Sequence, residues 1–99
     1  MNPASHRRVA LVTGAAQGIG RGVALRLAKD GFDVAINDLS SNKDKLESLK
    51  QDMSESLQQD ASRYVVLPAD VSSESEVKDM ISSCVSSLGR LDVVGGSFL

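Results

Sequence analysis

The chain has 99 residues, a net charge of −2, 41% apolar and 24% charged residues. That length allows one small domain burying roughly 60–65% of its unfolded surface, and the charge excludes the strongly basic face of a nucleic-acid-binding domain. One cysteine, Cys84, and one histidine, His6, exclude an internal disulfide and a zinc site, and no apolar run is long enough for a signal-peptide core or a membrane span, so a cytoplasmic location is expected.

Residues 1–8 carry no periodicity and read as a lead-in, in which His6, Arg7 and Arg8 form a solvated basic start. Val9-Ala10-Leu11-Val12-Thr13 is a continuous apolar run with β-branched residues, which suits a strand buried on both faces. Gly14 to Gly20 is a glycine-rich turn. Ile19, Val23 and Leu27 then recur every four positions and predict a helix from Ile19 to Lys29, ended by Gly31. Asp33 to Asn37 is a second strand, closed by Asp38. The spacing of Leu46, Leu49, Met53 and Leu57 predicts a second amphipathic helix. Tyr64 to Leu67 is a third strand, stopped by Pro68.

Ser73-Glu74-Ser75-Glu76 has the form of a capping box. Val77, Met80, Ile81, Cys84, Val85 and Leu88 follow on one face of a third helix, which places Cys84 among apolar neighbours as a buried, unreactive thiol. Gly89 ends this helix, and Leu91 to Val94 is the fourth strand. Strands alternating with helices on short links predict an α/β fold with a parallel sheet in the order 3-2-1-4, half of a Rossmann-like doubly wound sheet.

The turn reads Thr13-Gly14-Ala15-Ala16-Gln17-Gly18-Ile19-Gly20 between a strand and a helix. Free N–H groups at a helix start favour phosphate, and glycine permits positive φ and close backbone approach. A plain tight turn is the bland alternative. A P-loop is excluded, because Arg21-Gly22 stands where Lys-Ser or Lys-Thr would be needed.

T-G-x-x-x-G-I-G after an apolar strand resembles the short-chain dehydrogenase/reductase family. Asp38 closing the second strand, Asp70-Val71 after the third, and Leu91-Asp92-Val93-Val94 as the fourth agree with that family's pattern. The resemblance implies that Gly14, Gly18 and Gly20 shape the turn and that the main-chain N–H of Ile19 and its neighbours holds a pyrophosphate. It also implies that Gln17 lies near the adenosine ribose and that Asp70 and Val71 flank the adenine. Asp38 stands eighteen residues after Gly20, near the usual place of the ribose-binding acid. A carboxylate there can accept from both ribose hydroxyls and repels a 2′-phosphate. At ~5 Å and an effective dielectric of ~20 that repulsion costs about 3 kcal/mol, enough for ~100-fold preference of NAD over NADP. The plainer reading of Asp38 is a solvated turn aspartate or a helix cap, and Arg21 remains available to a phosphate.

The catalytic part of the family's pattern is missing from these residues. The resemblance implies a Tyr, with a Lys four residues on, and a Ser after the fifth strand. The only tyrosine, Tyr64, has Pro68 at that spacing and reads as packing. After Val94 comes Gly95-Gly96-Ser97-Phe98-Leu99, a divergent tail without the family's Asn-rich turn. The expectation is the NAD(P)-binding half of an oxidoreductase acting on alcohol or carbonyl groups, cut after the fourth strand and inactive alone. The stretch NDLSSNKDKL with Gln17 looks similar to diol or acetoin/diacetyl reductases of the family. The alternatives are a non-catalytic NAD-binding module, a partner of a full-length subunit paired through the exposed fourth strand, and a relic that binds nothing.

Overall fold

The structure, a computed structural model, describes residues 7–96; His6 of the basic start and residues 97–99 of the tail lie outside it. Four strands, β1 (Val9–Thr13), β2 (Asp33–Ile36), β3 (Tyr64–Val66) and β4 (Val93–Gly96), alternate with three helices, α1 (Gly18–Lys29), α2 (Lys43–Ser56) and α3 (Glu74–Leu88). All pairings are parallel and the spatial order is β3-β2-β1-β4. This is the order expected from the alternation of elements.

β1 is buried at every position because both of its faces are covered. Val12 faces a cluster with Val34, Ile36 and Tyr64, capped by Ala24 and Ala28 of α1 and by Leu46, Leu49 and Met53 of α2. Val9 and Leu11 face the opposite way, toward Ala35 and toward Met80 and Cys84 of α3. The continuous apolar reading of β1 therefore reflects two cores, one on each side of the sheet.

Three expectations are corrected. β4 begins at Val93 rather than Leu91 and continues through Gly95 and Gly96. Asp92 lies one step before the strand, where its N–H donates to Val9 O and its Oδ2 accepts from Val9 N. Pairing with Val12 and Thr13 then carries the two glycines into the sheet. Gly96 has φ 111°, and a Cβ there would lie 2.1 Å from Thr13 O, so the close approach to β1 requires glycine.

On α3, Met80 and Cys84 are buried as expected, but Ile81 and Val85 are 38% and 42% exposed. They sit beside the line that packs on β1, and no described element covers them. Ser73 Oγ does accept from Glu76 N, at 3.4 Å, yet the Glu76 carboxylate turns to Asp70 N instead of Ser73 N. Tyr64 is fully buried, as its packing role requires. Burial pushes the Cys84 thiol above its usual pKa, which suits an inert side chain.

Candidate functional site

The site forms where β1 and β2 end, at the point where the chain steps from the β3-β2-β1 side of the sheet across to β4. Gly14 and Gly18 take positive φ, 63° and 62°, which lets the chain turn sharply from β1 into α1. Gly20 has a different task. A Cβ there would stand 2.1 Å from Gly14 O and 2.7 Å from Gly14 C, so only glycine lets α1 start against the turn.

The turn is pinned to the end of β2. Asn37 N donates to Val12 O and Ala15 N donates to Asn37 O, both at 2.8 Å. Ala16 N donates to Asp38 Oδ2 at 3.1 Å. Gln17 is the N-cap of α1 but makes no capping bond, and the first turn carries no acidic residue. The N–H groups of the first turn have no partner within the helix. Among the described residues nothing caps them, and the positive end of the helix dipole lies behind them. The side chain of Ile19 is 86% exposed at this helix start.

A cavity of about 360 Å³ opens here, lined by Gly14, Gln17, Ile19, Gly20, Asp38 and Asn42. The structure thus brings together five of the residues singled out in the sequence. Gly18 sits in the same turn as the first residue of α1.

Asp38 has an ordered carboxylate. Oδ1 accepts from Leu39 N at 2.8 Å and from Asn42 Nδ2 at 3.0 Å, while Oδ2 accepts from Ala16 N. Partial burial opposes its ionisation. The bonds from Asn42, Leu39 and Ala16 and the charge of Lys45 outweigh burial and hold the carboxyl below the usual carboxylate range. Three of about four acceptor positions are filled from within the chain, which leaves one, on Oδ2, for a ligand hydroxyl.

Asp70 and Val71 do not line the cavity; they stand on the neighbouring loop after β3. That loop is tied to the site, because Ala69 N donates to Asp38 O at 3.0 Å. The hydroxyl and the N–H of Ser72 both donate to Asp70 Oδ1 and hold its carboxyl below the usual range. Val71 is 37% exposed beside it.

Three further residues matter that the sequence did not single out. Asn37 is buried, and its Nδ2 donates to Leu67 O at 2.8 Å and Ala69 O at 3.2 Å, holding the loop of Asp70 against β2. Asn42 orients Asp38. Lys45 Nζ donates to Gln17 Oε1 at 3.0 Å. Arg21, left open as a phosphate ligand, is drawn to Asp52 of α2 at 2.6 Å. Among the described residues no cluster of three or more His, Cys, Asp or Glu could hold a metal, and no helix is long and apolar enough to cross a membrane.

The glycine turn that lets α1 start against the end of β1, and the open helix start beside an oriented carboxylate, fit a dinucleotide. Fold and site together define a dinucleotide-binding half of a doubly wound α/β sheet. Residues 8–96 match the family described as short chain dehydrogenase, and the chain belongs to that family.

A short-chain dehydrogenase/reductase of Armillaria gallica is 52% identical over 90 residues, which span 91% of this chain and 33% of that protein. The 3-ketoacyl-(acyl-carrier-protein) reductase of Brucella melitensis, solved with NADH, is 33% identical with a TM-score of 0.74 over 88% of this chain and 32% of that one. An NADPH-dependent reductase involved in bacilysin biosynthesis is 35% identical with a TM-score of 0.80 over 89% of this chain and 33% of that one. The chain therefore spans about a third of the length of the relatives it matches.

Proposed function

We propose that this chain binds NAD through the cavity at the start of α1, as the cofactor-binding part of an oxidoreductase acting on alcohol or carbonyl groups. The observation that carries the reading is the uncapped first turn of α1, held open around Gly14 and Gly20 and facing the Asp38 carboxylate. In this reading the N–H groups near Ile19 bind the pyrophosphate and Asp38 Oδ2 takes a ribose hydroxyl. Gln17 borders the ribose, and the ionised Asp70 accepts from the adenine amino group beside Val71. The cofactor supplies a hydride donor or acceptor at its nicotinamide.

The Asp38 carboxylate favours NAD over NADP by repulsion of a 2′-phosphate; both NADH and NADPH occur in the solved relatives. The 99 residues contain no Tyr-x-x-x-Lys, and the chain alone does not transfer hydride. Small diols and diketones are the first substrates to try with any longer form, following the resemblance of the region after β2. The place of action is the cytoplasm, in keeping with a lone, buried, reduced cysteine.

Isothermal titration of the chain with NAD tests the reading. Saturable 1:1 binding is expected. A folded chain that binds no dinucleotide would remove it, and turnover of NADH with diketones above a buffer blank would remove the claim of inactivity.

A second reading rests on β4, an edge strand whose Val93 and Val94 are 40% and 46% exposed. Such an edge suits pairing with a strand of another polypeptide, a full-length subunit among them. Sedimentation at increasing concentration tests this, and a monomer throughout would count against an edge that needs a partner.

A further inference from the structure

We propose that the cavity between the end of β3 and α3 is a second binding site, which takes a small organic cation. The ligand is a primary alkylammonium whose charge lies between the carboxylates of Glu76 and Asp79 and whose alkyl stem lies on Leu67 and Met80. This site is separate from the dinucleotide cavity and stands whether or not a dinucleotide binds there.

The cavity holds about 390 Å³, within the usual range for small-molecule pockets. Leu67, Pro68 and Ala69, from the segment after β3, and Met80 of α3 give it an apolar wall. Glu76, Asp79 and Ser83 form its polar side. The four α3 residues are spaced three and four apart, so they share one face of the helix. No residue of this cavity lines the one at the start of α1.

The wall is built without a ligand. Asn37 Nδ2 donates to Leu67 O and Ala69 O, and Ala69 N donates to Asp38 O, which fixes the segment after β3 against β2. Glu76 Oε1 accepts from Asp70 N at 3.1 Å, which holds that carboxylate at the rim. Among the described residues neither Glu76 nor Asp79 has a cation within ion-pair distance. Lys78, the one cation of α3, lies on the far side of the helix and pairs with Glu74 at 3.3 Å.

Two like charges three residues apart on a helix repel each other, and a shared cation relieves the repulsion. The apolar wall favours an organic cation over a hydrated metal ion. Among the described residues no group of three or more His, Cys, Asp or Glu could hold a metal. An anion would be repelled from this rim, and a neutral ligand would leave both charges unanswered.

Amide NMR spectra of the folded, 15N-labelled chain test the proposal, by titration at low salt with hexylammonium, hexanol and hexanoate. Hexylammonium is expected to give saturable shifts at Leu67, Ala69, Asp79 and Ser83. Hexanol should bind at least about 10-fold more weakly, having no charge to offer two carboxylates, and hexanoate should give no saturable shift. Glu76→Gln and Asp79→Asn keep the shape of the rim, and glutamine keeps an acceptor for Asp70 N. Each should weaken hexylammonium about 5-fold, as the loss of one solvent-exposed charge pair near 4 Å implies. Added salt should weaken binding to the wild type. Hexanol binding as tightly as hexylammonium, or unchanged affinity in both variants, overturns the proposal. So does an absence of saturable shifts, or calcium alone moving the same amides as strongly as hexylammonium. Shifts confined to residues 14–20 and 38–42 would place the cation in the other cavity and overturn it as well.

Discussion

Replacing Gly20 by alanine tests the construction of the turn most directly. The added Cβ would meet Gly14 O at 2.1 Å, Gly14 C at 2.7 Å and Thr13 O at 3.2 Å. All three are main-chain atoms at the end of β1, which is buried and paired on both sides. No flexible side chain can move aside, so α1 must retreat by more than an ångström from the strand it packs on. Forced overpacking of this kind costs about 1–3 kcal/mol, partly offset by the better helix propensity of alanine.

Gly22 is the internal control. It lies in the same helix, and a Cβ there meets nothing within 4 Å, so Gly22→Ala is expected to stabilise by about 0.5–1 kcal/mol. Urea denaturation followed by far-UV circular dichroism reads both variants. With a slope of about 1–2 kcal/mol per molar, Gly20→Ala should lower the midpoint by about 1 M and Gly22→Ala should raise it by about half that. Dinucleotide binding should fall steeply in Gly20→Ala alone, because the retreat of α1 moves its open N–H groups. A Gly20→Ala chain as stable as the wild type, or a Gly22→Ala chain that loses as much as Gly20→Ala, would refute the reasoning.

Other outcomes follow from the same geometry. Asn37→Ala leaves the carbonyls of Leu67 and Ala69 without their donor and should cost about 1–3 kcal/mol in the same denaturation assay. Asn37→Asp should cost more, since oxygen would then face oxygen. The folded-state pKa of Asp38 lies below its unfolded value, so the stability it contributes is present above the unfolded pKa near 3.8 and is lost as pH falls through the folded value. Denaturation midpoints at pH 6 and pH 3 should differ less in Asp38→Asn than in the wild type. Arg63 ties buried Asp33 at 2.8 Å and Gly31 O at 2.7 Å, and Arg63→Leu should destabilise by about 2 kcal/mol even though Arg7 still reaches Asp33. Cys84, fully buried, should resist an aromatic disulfide reagent in the native chain and react rapidly in denaturant.

What could be read from the chain alone is what local sequence controls. The apolar run of β1, the period of Val23 and Leu27, the stop at Gly31 and the cap at Ser73 each depend on a few consecutive residues. Together they give the element order and, through it, the sheet order. The glycine spacing was legible for the same reason, because positive φ at Gly14 and Gly18 is a backbone property of those positions.

Tertiary structure decided what depends on partners far away in sequence. The start of β4 is set by Asp92 meeting Val9, which no pattern between Leu91 and Val94 announces. Ile81 and Val85 carry the same helical period as Met80 and Cys84, yet they are exposed because the sheet reaches only one line of that face. Asn37, Asn42 and Lys45 look like ordinary polar residues of a strand end and a helix start. Only the folding of β2 against the glycine turn and the β3 loop places one on the carbonyls of Leu67 and Ala69, one on Asp38 and one against Gln17. Hydrogen bonds between segments leave no periodicity in sequence, and in this chain they set the charge and the orientation of the site.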